Sequence, residues 1–247
     1  MFKNKKLFLS ITSILVLSSL FVFDSCSSSK KTVNRNGITS NGPDYKQIKK
    51  AINTKGGEFY YPELLRRFEA ADTTLTREQL FYFYYGTATR SNYNPYKQAN
   101  YKEVNEALSA DTLTKENWQK AAQAVEKQLQ SDPTNLRFHR YKQIVYSNLF
   151  DMESEECINA FNQVFMLVSS ITATGDGRSK ESAFHVISTT DEYGIMEILG
   201  VTPKSQSLIH DKGQSYDLME LEENEYDLDA LYFNVTVCFE TLNKLFR

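Results

Sequence analysis

The feature that most constrains the fold is an aromatic run at residues 80–89, which read LFYFYYGTAT. Just before it, Thr76 and Gln79 form the Thr-x-x-Gln pattern of a capping box, so the run is predicted to be helical. Five consecutive aromatic residues, Phe81 to Tyr85, place rings on nearly every side of that helix. A helix that is apolar all round is buried between neighbours, so the chain needs a layered core around it.

Periodic apolar residues predict further helices on both sides of this run, from residue 44 to about residue 174. The strongest follows Thr114-x-x-Asn117, where Trp118 to Leu129 carry apolar side chains at three- and four-residue spacing. The predicted starts are Tyr45 after an Asp44 cap, Tyr61-Pro62, Arg77, Lys97, Lys115, a residue just after Thr134, and Glu153. Residues 44–174 are therefore predicted to form a helical region.

One stretch of this region resembles a repeat family. In residues 118–149 a helix ends at Leu129-x-x-Asp132-Pro133, and the next helix starts after Asn135. This is similar to the junction between successive tetratricopeptide repeats, but the flanking helices do not keep a 34-residue period. The expectation is a degenerate tetratricopeptide-like array and not an extended solenoid.

After residue 175 the pattern changes to strands. Alternating residues predict strands at 183–189, 205–210, 215–221 and 231–239, with a short helix at 191–199. Four strands most simply form an antiparallel sheet packed on helices. The predicted fold class is α+β: a helical part first, packed on or followed by a small antiparallel sheet in residues 175–247, as one compact domain.

The first 25 residues have the form of an export signal. Three lysines lie in the first six residues, and residues 7–23 carry no charge. Cys26 follows, and this arrangement resembles the lipobox of bacterial lipoproteins, in which that cysteine is acylated. Ser25 fits the small residue before the cysteine, whereas the two residues before Ser25 depart from the pattern. Simple secretion and an uncleaved membrane anchor are the alternatives.

The anchor assignment sets the expected location and partners. Residues 26–43 then form an acylated cysteine and a polar tether, and the expected location is a bacterial cell envelope, with the outer membrane favoured over the inner. The whole chain has a net charge of −3, and removal of residues 1–25 makes it more acidic. We therefore expect a membrane partner through the lipid and a protein or peptide partner, but no nucleic acid.

Three motifs resemble a family of Bacteroidetes proteins, the domain of unknown function 4919. They are Tyr61-Pro62-Glu63-Leu64-Leu65, residues 79–86 followed by Tyr93-Asn94-Pro95-Tyr96, and Gly175-Asp176-Gly177. The resemblance implies a cell-envelope protein and brings no catalytic residues with it.

The aromatic run also supplies the candidate binding groove. Tyrosine combines an apolar ring with a polar tip, which suits recognition of a peptide, a sugar ring or an aromatic ligand. The favoured interpretation of the run itself is a buried helix whose hydroxyls find internal partners, and the groove is the functional alternative. The candidate groove residues are Tyr82, Tyr84, Tyr85, Tyr93 and Tyr96.

No motif predicts catalysis. His139, His185 and His210 belong to no metal or nucleophile pattern, so no catalytic residue, metal or cofactor is expected. Cys157 and Cys238 are interpreted as buried free thiols, with a disulfide as the alternative. The most favoured function is a binding or scaffold module, and the alternative is an envelope hydrolase that uses carboxylate and histidine chemistry.

Two further segments allow a structural or a binding interpretation. Gly175-Asp176-Gly177 is interpreted as a turn that needs positive φ, with phosphate or cation binding as the alternative. Seven acidic residues and no basic residue lie between Asp217 and Asp229. A solvated strand end and loop is favoured there over cation binding or steering of a partner.

Overall fold

The computed structural model describes residues 38–39, 42–96 and 100–245. The predicted signal peptide, Cys26 and most of the tether lie outside these ranges. Within the ranges, no helix combines the length and hydropathy that crossing a bilayer requires.

The described chain begins with a short strand pair, continues as seven helices, and then alternates strands and helices. The helices are α1 (Tyr45–Ile52), α2 (Tyr61–Glu69), α3 (Arg77–Thr87), α4 (Lys102–Ala107), α5 (Lys115–Ser131), α6 (Leu136–Leu149), α7 (Glu155–Thr172), α8 (Thr189–Leu199) and α9 (Thr236–Leu245). The strands are β1 (Ile38–Thr39), β2 (Gly42–Pro43), β3 (Phe184–His185), β4 (Pro203–Asp211), β5 (Gln214–Leu221) and β6 (Ala230–Asn234).

The predicted caps set several helix starts. Asp44 accepts hydrogen bonds from the N–H groups of Lys46 and Gln47 at the start of α1. Capping boxes open α3 at Thr76 and α5 at Thr114, where each threonine bonds the N–H three residues on. These side chains satisfy N–H groups that have no partner within a helix. The α+β class is confirmed, whereas the kinship with tetratricopeptide repeats stays a prediction.

The buried apolar residues form two clusters. The larger contains the aromatic residues of α3 together with residues of α1, α2, α7, α8 and the sheet. The smaller lies among α4, α5 and α6, with Trp118, Val125 and Phe138 buried in it. Residues of the helical region and of the C-terminal region therefore share the larger core, with α3 at its centre.

The four-stranded sheet has the order β3-β6-β5-β4. β4, β5 and β6 are antiparallel neighbours, but β3 pairs with β6 in parallel, with Phe184 opposite Phe233. The expectation of a wholly antiparallel sheet was wrong on this strand. A short hairpin forces antiparallel pairing, whereas α8, β4 and β5 lie between β3 and β6 and leave both directions open.

The last predicted strand was also wrong in its second half. β6 ends at Asn234, and α9 begins at Thr236, so Cys238 lies on a helix. The side chain of Asn234 accepts the N–H of Thr236, and the N–H of Cys238 bonds the carbonyl of Val235. The alternation continues past residue 234, but a local side-chain bond of this kind favours helix initiation over a strand.

The Gly-Asp-Gly segment is a turn, as interpreted from the sequence. Gly177 has φ +72°, and a Cβ atom there would lie 2.5 Å from the ring of Phe184. Its N–H bonds the carbonyl of Ser182, and its carbonyl accepts the N–H of Tyr232 on β6. Gly177 thus lets the loop pass close to the sheet edge where a larger residue would not fit.

This geometry predicts that Gly177→Ala destabilises the protein by about 2–4 kcal/mol, because backbone strain adds to a clash in the core. Gly213→Ala is the matched control, since Gly213 has φ +80° but no atom lies within 4 Å of the position that its Cβ would take. We expect the control to lose only about 1–2 kcal/mol. Urea unfolding measures both free energies, and equal losses would contradict the close-approach argument.

Candidate binding cleft and its buried carboxyl groups

The three tyrosines of α3 point into the core. Tyr82, Tyr84 and Tyr85 are all at most 2% exposed. The hydroxyl of Tyr85 donates to the carbonyl of His185 at 2.9 Å, and that of Tyr82 accepts from the amide of Gln47 at 3.0 Å. These rings pack as core residues, which corresponds to the buried-helix interpretation.

The other two candidate tyrosines lie on the loop between α3 and α4. Tyr93 donates to the carbonyl of Ile187 at 2.6 Å, which ties the loop to the segment before α8. Tyr96 is half-buried, and its hydroxyl oxygen is shielded from solvent without a hydrogen-bond partner. The five candidate tyrosines therefore do not line one exposed groove, and Tyr96 alone among them offers an unused polar atom.

A buried carboxylate, Asp191, joins three helices. It lies in the first turn of α8 and is 1% exposed. Its Oδ2 accepts from the hydroxyl of Tyr84 on α3 at 2.7 Å, and its Oδ1 accepts from the N–H of Leu136 at the start of α6 at 3.2 Å. The hydroxyl of Tyr84 accepts in turn from the N–H of Ile187. Both carboxyl oxygens are thus engaged by separate parts of the fold.

Burial still outweighs these hydrogen bonds in the titration of Asp191. Desolvation raises its pKa to about 7, although the bonds from Tyr84 and Leu136 act in the opposite direction. Burial disfavours the charged form of an acid, so a carboxylate held in this way is close to its midpoint at neutral pH.

The face of β4 that looks toward the helices is largely uncovered. Strand register places Leu208 opposite Asp217 and His210 opposite Ser215, so these side chains share the face that β5 buries. On β5 that face is buried, yet Leu208 is 45% exposed and Gln206 is exposed too. Part of the inner face of β4 is therefore not covered by the helices.

We use the name β4 cleft for this uncovered face and the side chains beside it. Tyr193 of α8 donates to Gln206 at 3.3 Å, and Gln206 donates to the Asp217 carboxylate at 2.8 Å. At the other end, the ring of His210 meets Phe239 of α9 edge-on at 6.2 Å. The defining residues are Tyr96, Tyr193, Gln206, Leu208, His210 and Phe239 around a floor of Glu192 and Asp217.

The floor of the cleft holds two buried carboxyl groups. Asp217 is 5% exposed, and Glu192 is 0% exposed. The two carboxyl groups interact with each other through a side-chain hydrogen bond. Burial and the nearby charge of Asp217 hold the pKa of Glu192 well above its usual range, and burial raises the pKa of Asp217 as well. Of the two carboxyl groups, Glu192 has the more strongly raised pKa, because it is the more deeply buried.

The burial of Asp217 corrects part of the expectation for the acidic segment. The six other acids of residues 217–229 are exposed, as a solvated loop requires, but Asp217 is not among them. A signal was present in the sequence: Ser215, Asp217 and Met219 alternate onto the apolar face of β5. No comparable signal marks Asp191 and Glu192, because acids are common in the first turn of a helix.

The histidines are not paired with acids. His139 is buried on α6 and bonds the carbonyl of Pro133, while the side chain of His210 bonds the hydroxyl of Ser215. His185 packs against Gly42, and burial lowers its pKa to about 4. Among the hydrogen bonds and ion pairs of the described residues, none joins a histidine to a carboxylate.

Both cysteines of the folded part are buried free thiols, as interpreted from the sequence. The thiol of Cys238 lies 3.9 Å from the hydroxyl of Tyr93, and burial raises its pKa. A thiol of that kind stays protonated and is a poor nucleophile.

A second concave surface lies between α4 and α5. It is an open groove of about 490 Å³ with Ala107 and Ala124 at its base. Its charges are matched: Lys127 pairs with Glu103 at 2.8 Å, and Lys120 pairs with Glu116 at 2.8 Å. The groove therefore has no excess charge with which to select a ligand. Across the described residues, no group of three histidine, cysteine or acidic side chains is placed to hold a metal ion.

The Asp191 bond predicts an asymmetry between two matched variants on α3. Tyr84→Phe leaves a buried carboxylate oxygen and the N–H of Ile187 without their partner, so we expect a loss of about 1–3 kcal/mol. Tyr82→Phe removes a hydroxyl that bonds only the exposed Gln47, and we expect about 0.5–1 kcal/mol. Urea unfolding compares the two. An equal or larger loss for Tyr82→Phe would contradict the role given to Asp191.

The raised pKa of Asp191 also predicts a pH dependence. Between about pH 4 and about pH 7 the folded state holds a proton that the unfolded chain has released, so stability falls as pH rises. Asp191→Asn keeps an acceptor and a donor but cannot titrate. We expect its free energy of unfolding to fall less steeply over this range, and parallel curves for variant and wild type would contradict the assignment.

Comparison with known proteins supports the family resemblance. A family model described as "Domain of unknown function (DUF4919)" matches residues 46–244. No curated protein and no solved structure is significantly similar to the chain. Since the family match covers most of the chain and includes α3, α8 and the β4 cleft, the protein belongs to the DUF4919 family.

Proposed function

We propose that the protein is a lipid-anchored binding module of a bacterial cell envelope that engages its ligand in the β4 cleft. The observation that carries the binding function is the hydroxyl of Tyr96, which is shielded from solvent and has no hydrogen-bond partner. Buried polar atoms in native proteins nearly always have partners, so one without a partner beside an uncovered strand favours a bound ligand.

The N-terminal sequence supports the anchor. Residues 1–25 have a basic start and an uncharged apolar stretch, and Cys26 follows directly. Each methylene of an acyl chain buried in a bilayer contributes about 0.8 kcal/mol, so several chains on one cysteine hold a protein firmly. Such an anchor needs no membrane-spanning helix.

A scaffold role rests on the surface groove between α4 and α5. Peptides commonly bind in grooves between packed helices. The charges of this groove are already paired, however, whereas the hydroxyl of Tyr96 in the β4 cleft has no partner. We therefore place small-ligand binding in the β4 cleft first and protein scaffolding second.

The hydrolase alternative has one supporting observation, which is the pair of carboxyl groups of Glu192 and Asp217. Two carboxyl groups with different pKa values suit acid–base chemistry. The histidine half of that proposal lacks support, since His185 and His210 have no acidic partner among the described residues. This function therefore ranks below binding.

Cys26→Ala tests the anchor. We expect the variant either to leave the membrane fraction or to accumulate as an uncleaved precursor, because the acylated side chain is gone. Membrane fractionation and incorporation of labelled palmitate measure the effect. Ser25→Ala is the matched control, since it keeps a small residue before the cysteine and should remain in the membrane and labelled. Wild-type behaviour of Cys26→Ala in both assays would overturn the anchor.

A further inference from the structure

We propose that helix α1 docks on the anionic phospholipid headgroups of the bilayer that holds the protein, through a face made of Lys46, Lys49 and Lys50. We call these three side chains the α1 lysine face. The inference rests on the lipid anchor of the proposed function and goes beyond it, because it adds an electrostatic contact that orients the folded domain. It does not depend on what binds in the β4 cleft.

The first argument is the uneven division of charge along the chain. Residues 26–57 contain seven basic residues and one acidic residue, whereas residues 58–247 contain 18 basic and 29 acidic residues. The stretch after the predicted signal peptide therefore has a net charge of +6, and the rest of the chain has a net charge of −11. A layer of anionic headgroups attracts the first part and repels the second.

The second argument is the geometry of α1, which is the described helix of this basic stretch. Lys49 and Lys50 follow Lys46 by three and four residues, so the three side chains lie on one side of the helix. All three are exposed, while Ile48 and Ile52 are buried in the larger core. The helix is thus held to the fold by its apolar residues and presents its lysines to the outside.

The fold does not neutralise these lysines. Among the ion pairs of the described residues, none includes the α1 lysine face or Lys55 in the turn after it. The one acidic residue of the stretch, Asp44, caps the helix, and its carboxylate accepts two backbone N–H groups. On α5, by contrast, Lys120 and Lys127 are each paired with a glutamate. The α1 lysine face therefore keeps its charge for an external partner.

The place of α1 in the chain brings it close to the proposed anchor. Eleven residues lie between Cys26 and Ile38, and β2 ends at Pro43, directly before the Asp44 cap. Eleven residues allow at most about 40 Å between the Cα atoms of Cys26 and Ile38. An acylated Cys26 would hold the helix within that reach of the surface, which gives a high effective concentration of headgroups.

Lipid headgroups suit the α1 lysine face better than a second protein does. Apart from the three lysines, the exposed residue of α1 is Gln47, so this side of the helix has no apolar anchor. The centres of protein interfaces are depleted in lysine and enriched in aromatic residues. Each lysine near an anionic lipid surface instead strengthens the attraction about fivefold.

The test is amine labelling of the processed chain, purified from membranes in detergent and reconstituted in nanodiscs. One set of discs contains neutral phosphatidylcholine, and the other also contains about a third of anionic phosphatidylglycerol. Limited acetylation followed by mass spectrometry reports the reactivity of each lysine. We expect the α1 lysine face and Lys55 to react about threefold more slowly, or slower still, in the anionic discs alone.

Two controls accompany the labelling of the wild type. Salt at about 1 M shortens the screening length to about 3 Å and should restore the reactivity of the α1 lysine face. Lys115 and Lys204 are also exposed and belong to no ion pair of the described residues, so their reactivity should be the same in both discs.

A triple variant assigns the contact to α1. Lys46→Gln, Lys49→Gln and Lys50→Gln together remove three exposed charges and introduce residues that favour a helix. Lys55 should then lose most of its protection in the anionic discs. The matched control removes the same charge from exposed positions elsewhere, with Lys115→Gln, Lys204→Gln and Lys212→Gln. In that control the α1 lysine face should stay protected.

Several results would overturn the headgroup contact. These are equal reactivity of the α1 lysine face in the two discs, or protection that persists at high salt. Equal protection of Lys115 and Lys204 would reveal a general effect of lipid charge and contradict the assignment to α1. Protection in detergent alone that decreases on dilution would instead indicate the acidic segment of a second copy as the partner.

The anchor is judged separately in the same digest, because the mass of the N-terminal peptide reports whether Cys26 carries acyl chains. If Cys26 carries none, the anchor is wrong and the docking of α1 is overturned with it. If Cys26 is acylated and the α1 lysine face remains fully reactive, the anchor stands and the docking of α1 alone is overturned.

Discussion

The structure depends on one buried carboxylate. Asp191 accepts a hydrogen bond from α3 through Tyr84 and another from the first N–H of α6, while its own backbone begins α8. These three helices come from distant parts of the chain, and the larger core forms where they meet. A charge at this depth is unfavourable unless both its oxygens are used. The bond therefore fixes how α3, α6 and α8 approach one another more strictly than apolar packing does.

The abundance of tyrosine follows from the same requirement. α3 is buried on every side, so each of its rings must pack, and the hydroxyls reach groups that phenylalanine would leave unsatisfied. The hydroxyl of Tyr84 donates to the carboxylate of Asp191 and accepts the N–H of Ile187. The hydroxyl of Tyr85 donates to the carbonyl of His185. The short strand β3 and the segment after it thus have their backbone groups satisfied by an aromatic helix and not by a longer sheet. Side-chain hydroxyls here form the hydrogen bonds that a further strand would otherwise provide to these backbone groups.

The sequence predicts the local structure of the chain better than it predicts the candidate binding site. Capping residues such as Asp44, Thr76 and Thr114 act over three or four positions, so the starts of α1, α3 and α5 followed from the pattern. The direction of β3 depends on a partner far along the chain, and β6 ends where Asn234 bonds the N–H of Thr236, so the alternation of apolar residues reports neither. The aromatic run predicted its own burial and allowed internal partners for its hydroxyls, but it did not indicate which groups those partners would be. The carboxyl floor of the cleft joins α8 to β5, and only Asp217 had a signal, its place on the apolar face of the strand.

The N-terminal segment of the described chain joins the fold at one edge of the sheet. Gly42 lies against the ring of His185, so the tether meets the fold beside β3. β3 is at one edge of the sheet, and β4 is at the other. Neighbouring strands lie about 4.8 Å apart, which separates the two edges by roughly 14 Å. The anchor proposed on Cys26 would therefore be attached at the β3 edge, and the β4 edge would be the part of the sheet that is farthest from the point of attachment.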